Sequence, residues 1–319
     1  MKYYILFIGL FFFISCSKED GLNPSHEDRL WFVIEDDPQD ALQHEIFKVY
    51  SDWGIPVFYN DTLGHEERGY NKYGEPIVYY KILDLNYSLN TPTNAIGVLD
   101  KYPVLMQDEA DILAGVKFVD EVLLPVIPEC FFVRSILLLD SLYEEQYGNK
   151  KLQKFHQAME TLALGSVPSI AKMSKEEQTV RANEIVTYLT LNYLNKNSTD
   201  ENMAAFRKVS YDPVKQWSFY EMWVRKPLYP GYKCLEPARW EVYGFLDYDH
   251  SKGASVTDPD VNNWYYCLVK ESVDVEAYIM AVLSCSKSEF TEKYKAYPKV
   301  MEKYRLMCEI LTSIGFELK

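Results

Sequence analysis

Residues 107–141 read QDEADILAGVKFVDEVLLPVIPECFFVRSILLLDS, and this stretch predicts both kinds of secondary structure in the core. Its first half has apolar side chains at helical spacing, at Ile112, Val116, Val119 and Leu123. This spacing predicts an amphipathic helix over residues 107–124. The second half holds a short apolar run over residues 135–140, whose length and composition predict a buried strand. A helix followed by a buried strand is typical of domains that pack helices on a sheet.

Upstream of this stretch, the sequence predicts one helix and two strands. Asp37 followed by Pro38 predicts the start of a helix, and Gly54 predicts its end. Apolar and aromatic runs predict strands over residues 55–59 and 77–82. The polar residues between the two strands, which include two glycines, predict a loop.

Downstream, the sequence turns mostly helical. Two Ser-x-x-Glu capping boxes predict helix starts at Ser174 and Ser286, and the first helix should run to about residue 195. Pro298 predicts the start of the last helix, which should end near Gly315. Strands early and helices late indicate the α+β class.

We therefore predict an α+β fold with a small mixed sheet and a predominantly helical C-terminal half. The sequence predicts three segments: a lipoprotein signal peptide over residues 1–15, a flexible tether over residues 16–28, and one domain over residues 29–319. Internal repeats are absent from the sequence, and no Pro- or Gly-rich linker divides the last segment.

The N-terminus predicts export and lipid attachment. Lys2 precedes an unbroken apolar run over residues 3–14, which is shorter than the ~20 residues that a membrane-spanning helix needs. The run leads to Cys16 in a pattern that resembles a lipobox, and residues 17–20 (SKED) resemble an acidic surface-export tag. We therefore expect lipidation at Cys16 and a folded part anchored to the outer membrane, exposed at the cell surface.

The charge balance argues against nucleic-acid binding. The chain has 33 basic and 47 acidic residues, which gives a net charge of −14 at pH 7. Such a surface repels phosphate backbones, and the sequence has no Lys/Arg cluster that could act as a local exception. We expect no nucleic-acid partner.

Motifs of the common catalytic sites are absent from the sequence. The chain contains no HExxH, GxSxG, GxGxxG or GxxxxGK[ST] motif. Asp258 begins a calcium-loop-like segment that lacks the required glycine and final glutamate, so we predict an exposed acidic loop over residues 247–260. The six cysteines form no CxxC pair, which leaves both disulfides and buried free thiols open. The five histidines are too widely spaced to share a helix face: His26, His44, His65, His156 and His250.

Several segments together resemble a known family, the zinc-binding metallopeptidase lipoproteins found beside outer-membrane glycan-import systems. The matching segments are residues 46–60 (IFKVYSDWGIPVFYN), 118–141 (FVDEVLLPVIPECFFVRSILLLDS), 243–248 (YGFLDY) and the C-terminal pattern over residues 272–318. The resemblance extends over most of the chain after Cys16. It implies a zincin-like fold.

The resemblance also implies where a zinc site would lie. In that family, a helix after the buried strand carries HExxH, whose two histidines bind zinc and whose glutamate activates a metal-bound water. The matching helix here has Asn183 and Thr187 at the histidine positions and Glu184 at the position of the base. The third ligand, an acid on a later helix, falls near Glu276. Because neutral Asn and Thr oxygens are poor zinc ligands, these positions are vestigial and we expect no cofactor.

Aromatic residues offer a different candidate for binding. Tyrosine occurs 26 times, and rings of this type combine apolar area with a hydroxyl group, which suits recognition of sugars or peptides. Packing between helices and strands is the competing explanation for most of them. The candidate aromatic platform consists of Trp217, Tyr220, Trp223, Tyr229 and Tyr232.

These observations give three hypotheses for function. The leading one is a surface-anchored lipoprotein with a metallopeptidase-like fold that has lost its zinc site and acts as a binding or accessory protein near glycan-uptake machinery. Its ligand would be a glycan or a peptide. One alternative is an active metal-dependent hydrolase with a non-standard site that recruits His156 or His250. The other is a purely structural subunit of an outer-membrane complex.

Overall fold

The computed structural model describes residues 30–87, 100–196, 201–225, 239–253 and 265–318. Contacts divide the chain into two compact units. The smaller unit contains residues 30–33 and Thr62–Lys81, and the larger contains Ile34–Asp61 and Ile82–Lys319. The predicted signal peptide, Cys16, the tether and the segment from Asp258 to residue 262 lie outside the described residues, so these predictions and the domain boundaries stay predictions.

The larger unit begins with helix α1 (Ala41–Trp53), followed by strand β1 (Val57–Phe58). The predicted helix end is confirmed, since Gly54 caps α1 with a left-handed φ of 70°. The predicted start at Asp37 is wrong by one turn. Asp37 closes a turn by accepting from the Gln39 N–H, whereas the carboxylate of Asp40 accepts from the first free N–H groups of the helix.

The smaller unit contains strands β2 (Thr62–Tyr70) and β3 (Pro76–Ile82), which pair as a two-stranded sheet. The strand predicted at residues 77–82 is confirmed. The loop predicted before it is wrong, because most of that segment forms β2, whose side chains are largely exposed and therefore polar. A Cβ atom at Gly64 would lie 2.7 Å from the Trp31 ring, so glycine allows this ring to pack against the strand.

The larger unit is built on a mixed sheet. After strand β4 (Asp100–Leu105), helix α2 (Glu109–Phe118) continues through a π-helical turn (Val119–Leu123) and a 3₁₀ turn (Leu124–Val126). The buried strand β5 (Ile136–Gln146) follows, and after it come β6 (Asn149–Gln153), β7 (Phe155–Gln157) and β8 (Leu162–Leu164).

Strand β5 is the centre of this sheet. The strand order is β1-β5-β8-β7, and β5 pairs in parallel with β1 and β8. Its second half pairs antiparallel with β4 and β6, which makes β5 longer than the strand predicted at residues 135–140. The four apolar residues of the predicted strand are fully buried: Ile136, Leu137, Leu138 and Leu139. The predicted small mixed sheet is confirmed.

The C-terminal half is mainly helical, as the sequence predicts. Its helices are α3 (Val167–Ile170), α4 (Lys175–Lys196), α5 (Glu201–Val209), α6 (Glu271–Ser284), α7 (Lys287–Tyr294) and α8 (Pro298–Ser313). Two short strand pairs interrupt them: β9 (Tyr211–Asp212) with β10 (Trp217–Ser218), and β11 (Trp223–Arg225) with β12 (Tyr265–Cys267).

The local helix signals are confirmed. Ser174 and Glu177 exchange the two hydrogen bonds of a capping box at the start of α4, at 2.7 and 3.2 Å. Ser286 does the same with its own glutamate at the start of α7, and Pro298 is the first residue of α8. In the part of the chain that the structure describes, no helix is long and apolar enough to span a membrane.

Candidate functional site

Helix α4 lies between the edge of the sheet and helix α6. Strand β7 is the last strand on the sheet path, and its Phe155 ring contacts the Tyr188 ring of α4 at a centroid distance of 5.0 Å. On another side of α4, Asn183 contacts the end of α6. The three positions that correspond to HExxH therefore lie on a helix packed on both sides.

The carboxylate of Glu184 is held by a lysine from the sheet edge. Lys154, between β6 and β7, donates from Nζ to both carboxylate oxygens at 2.7 and 2.9 Å. The Arg181 guanidinium lies 3.7 Å from the same carboxylate. A carboxylate with two cationic neighbours is stabilised in its charged form, and this pair links α4 to the sheet edge.

Arg181 reinforces the same link. Its side chain is buried and donates from one nitrogen to the backbone oxygens of Lys154 and Gly165 at 2.6 and 3.0 Å. The guanidinium also lies over the Phe155 ring, 5.6 Å from its centroid. Burial lowers the pKa of Arg181, while Glu184 acts in the opposite direction. These contacts are structural, since the buried Arg181 guanidinium points into the protein.

The side chains at the two positions of the family's zinc-binding histidines, Asn183 and Thr187, are both buried inside the protein. The Asn183 amide nitrogen donates to the Leu283 carbonyl at 3.2 Å and to the Ser284 hydroxyl at 3.3 Å. Thr187 is buried, and its hydroxyl has no hydrogen-bond partner among the described residues. Asn183 therefore caps the Leu283 carbonyl at the end of α6, a role unrelated to metal binding.

The acid expected as a third ligand lies elsewhere. Glu276 is exposed on α6, whereas Asn183 contacts Leu283, seven positions later on the same helix. Seven helical residues correspond to roughly 10 Å along the axis. Glu276 and Asn183 are therefore separated along α6 by more than a metal–ligand geometry allows.

The residues at these positions do not fit a zinc ion. Zinc takes imidazole, thiolate or carboxylate ligands, and here an engaged amide and a buried hydroxyl occupy the two helix positions. Within the described ranges, no group of three or more His, Cys, Asp or Glu side chains could hold a metal ion.

The two histidines of the hydrolase alternative make contacts away from α4. His156 Nε2 lies 3.1 Å from the Leu85 carbonyl oxygen, and strand alternation places its ring opposite to Phe155, which faces α4. Burial lowers the pKa of His156, and the nearby Lys101 adds to this effect. His250 is exposed and pairs with Asp247 at 2.8 Å.

The aromatic platform residues separate into exposed and inward-facing rings. Trp223 is 43% exposed, and its neighbour across the strand pair, Tyr265, is 46% exposed, with ring centroids 6.2 Å apart. Trp217 is half-buried beneath the Lys215 ammonium. Tyr220 points inward, and Tyr229 and Tyr232 lie outside the described residues. An exposed aromatic pair therefore exists, formed by Trp223 and Tyr265.

The inward-facing Tyr220 belongs to a buried polar cluster. Its hydroxyl donates to Asp274 Oδ2 at 2.8 Å, and Lys303 Nζ lies 2.5 Å from the same oxygen. The side chains of Asp274 and Lys303 have no exposed area. The second carboxylate oxygen, Oδ1, has no hydrogen-bond partner among the described residues. Four rings surround the lysine nitrogen at 4.5–5.6 Å, those of Phe206, Tyr220, Phe245 and Tyr278.

Burial favours the neutral forms of this cluster. Desolvation raises the pKa of Asp274, and the lysine beside it acts in the opposite direction. Desolvation likewise lowers the pKa of Lys303. The pKa of Tyr220 is raised far above its usual range, first by burial and then by the Asp274 charge. The Tyr220 hydroxyl therefore keeps its proton and acts as a donor to the carboxylate.

Sequence reasoning missed three residues in these clusters. Lys154 contacts a carboxylate 30 positions away, and Lys303 contacts one 29 positions away. No local sequence pattern predicts such a pairing. Tyr265 had a weak signal, since it begins the short aromatic strand β12 opposite β11. Only the pairing of these strands identifies it as the neighbour of Trp223.

The described cysteines add no further site. Cys130, Cys267, Cys285 and Cys308 are all free thiols. Burial raises the pKa of Cys267, so its reactive thiolate form is disfavoured.

No protein family matches this chain, and neither the curated proteins nor the solved structures contain a significant match to it.

Proposed function

We propose that this chain is a surface lipoprotein, anchored through Cys16, with a zincin-like fold that serves binding in place of zinc-dependent hydrolysis. It would act as an accessory protein of an outer-membrane uptake complex, with a glycan or peptide as ligand. The N-terminal apolar run and the lipobox-like pattern at Cys16 support the anchoring, and the family resemblance supplies the uptake context. The internal contacts of α4 support the loss of hydrolysis.

The observation that carries the proposal is the pairing of Glu184. A catalytic glutamate in this position must reach a metal-bound water, yet this carboxylate is bound by Lys154 at 2.7 Å and flanked by Arg181. Asn183 and Thr187 offer neither imidazole nor carboxylate. The position of the base and both ligand positions therefore contribute to packing.

Metal content and hydrolysis test this part directly. The chain beginning after Cys16 is equilibrated with zinc, dialysed extensively and analysed for metal, and its peptidase activity is measured beside Glu184→Gln. We expect no retained zinc and no activity that depends on Glu184. Near-stoichiometric zinc, together with hydrolysis abolished in Glu184→Gln, would overturn the proposal and favour the hydrolase alternative.

The exposed Trp223–Tyr265 pair is the surface that we propose for the ligand. Two rings with this separation offer apolar area for stacking, and Glu221 and Lys252 pair nearby at 3.2 Å as hydrogen-bonding groups. Binding of neutral oligosaccharides is measured by calorimetry for the wild type and Trp223→Ala. Trp53→Ala, which removes another exposed tryptophan, is the matched control. Equal affinity for all three proteins would exclude this surface.

A further inference from the structure

The buried Lys303–Asp274 pair has the arrangement of a reactive amine and an acid rather than of an ordinary surface ion pair. Nζ lies 2.5 Å from Asp274 Oδ2, and neither side chain has any exposed area. Charged groups are costly to bury, so transfer of the ammonium proton to the carboxylate, which gives a neutral amine and a neutral acid, removes much of that cost. A neutral amine beside a carboxylic acid can condense to an amide.

We infer that Lys303 and Asp274 form an intramolecular isopeptide bond that links helix α8 to helix α6. The Nζ–Cγ bond forms, the Cγ–Oδ2 bond breaks, and one water molecule leaves. The overall change is ammonium plus carboxylate to amide plus water, and it requires no oxidant, reductant or cofactor. Asp274 Oδ1 remains as the carbonyl oxygen of the new amide.

Tyr220 is placed to move the proton in this step. Lys303 Nζ donates to the Tyr220 hydroxyl at 3.3 Å, and the same hydroxyl donates to Asp274 Oδ2 at 2.8 Å. A proton can therefore pass from the attacking nitrogen through the hydroxyl to Oδ2, the oxygen that leaves as water. This relay makes Tyr220 a catalytic residue for the condensation.

The surroundings favour the product. The rings of Phe206, Phe245 and Tyr278 exclude water from the lysine nitrogen, which opposes hydrolysis of the amide. A neutral amide is also cheaper to bury than two charges. Its remaining N–H lies where Nζ already donates to Tyr220, so this hydrogen bond persists after condensation.

Tryptic digestion of the full-length purified protein tests the bond. The result does not depend on the proposed lipid anchoring at Cys16. We expect a branched product in which peptide 271–287 is joined to peptide 300–305, with a mass one water below the sum of the two peptide masses. Peptide 300–305 stays intact because trypsin does not cut after an acylated lysine such as Lys303. Free 271–287 together with cleavage after Lys303, still found after prolonged incubation at 37 °C, would overturn the proposal.

Two hydroxyl deletions separate the relay from general packing. Tyr220→Phe keeps the ring and removes the relay, so we expect condensation to slow by about 10²-fold or more. Tyr278→Phe is the matched control, because its hydroxyl belongs to the same cluster but donates to the Gly244 carbonyl at 3.1 Å. It should form the branched peptide as the wild type does. Equal yields in Tyr220→Phe and the wild type would remove Tyr220 from the reaction.

Lys303→Arg provides the remaining comparison. It retains a positive charge but lacks the primary amine, so no branched peptide is expected in the folded variant. If the variant does not fold, Tyr220→Phe and the wild-type digest still decide the question.

Discussion

Two lysine–carboxylate pairs in this protein have similar distances and opposite surroundings. Lys154 and Glu184 meet at 2.7 Å, with side chains 59% and 28% exposed. Lys303 and Asp274 meet at 2.5 Å, with no exposure at all. Water stabilises the separate ions of the first pair almost as well as their contact does, whereas the second pair has no such alternative.

Similar N–O distances in the two pairs therefore do not imply similar contributions to the free energy of folding. The exposed pair joins α4 to the sheet edge as a modest structural contact. The buried pair is a place where removal of either partner leaves an uncompensated group in an apolar setting.

The largest effect is expected from Lys303→Met. The substitution removes the amine of the inferred isopeptide bond and leaves Asp274 buried beside aromatic rings without a partner, so the free energy of unfolding should fall by about 3–5 kcal/mol. Urea-induced unfolding followed by circular dichroism measures this change. Lys299→Met, one helical turn earlier on α8, is the matched control, because Lys299 is half-buried over the Phe219 ring and should cost far less. Equal losses in both variants would contradict the assigned role of burial.

A change of opposite sign is expected from Thr187→Val. The Thr187 hydroxyl is buried and lacks a partner among the described residues, and an unsatisfied hydroxyl costs about 1–3 kcal/mol. Replacement by valine should therefore raise the free energy of unfolding by about 1 kcal/mol. The control is Thr190→Val on the same helix, whose buried hydroxyl donates to the Val186 carbonyl at 2.7 Å. Stabilisation by both substitutions would show that the hydrogen bond of the Thr190 hydroxyl group does not contribute to stability.

A smaller effect is expected at the exposed pair. A double-mutant cycle with Lys154→Met and Glu184→Gln should give a coupling free energy below about 1 kcal/mol, since both side chains reach solvent. The same unfolding measurement applies, repeated at high salt, where the coupling should weaken further. A coupling above about 2 kcal/mol would show that this pair resembles the buried one.

The smallest effect is expected from the pH dependence of stability that the half-buried His156 adds. Burial lowers its folded-state pKa below the unfolded value, so its stabilising contribution is complete above the unfolded pKa. That contribution is lost as the pH falls through the lowered pKa. Wild-type unfolding free energies measured from pH 7.5 to 5 should therefore decrease more steeply than those of His156→Gln. Parallel curves would contradict the expectation.

Local signals explain why parts of the fold could be predicted. Both capping boxes and the proline at the start of α8 act within one helical turn, and all three are confirmed. The start of α1 was misassigned because Asp37 and Asp40 carry the same local signal, and only the geometry of the turn separates them. Strand β2 was missed because its side chains are mostly exposed, which removes the alternation that identifies a strand.

The contacts of the candidate site could not be predicted from the sequence. The resemblance directed attention to residues 183–187, yet the partners of that segment are Lys154, between β6 and β7, and the end of α6. The platform residues Tyr220 and Trp223 are three positions apart, and one bonds to a buried carboxylate while the other is exposed. No pattern over three residues distinguishes these two outcomes.

The sequence alone determined the two capping boxes, the apolar spacing of α2 and the α+β class, because hydrogen bonds at helix ends and side-chain periodicity act over a few residues. The tertiary structure alone decided that Lys303 is buried with Asp274 while Lys154 remains near solvent. Burial depends on which distant elements pack against a side chain. For Lys303, that environment includes aromatic rings from residues 206, 220 and 245, which only folding brings to one lysine.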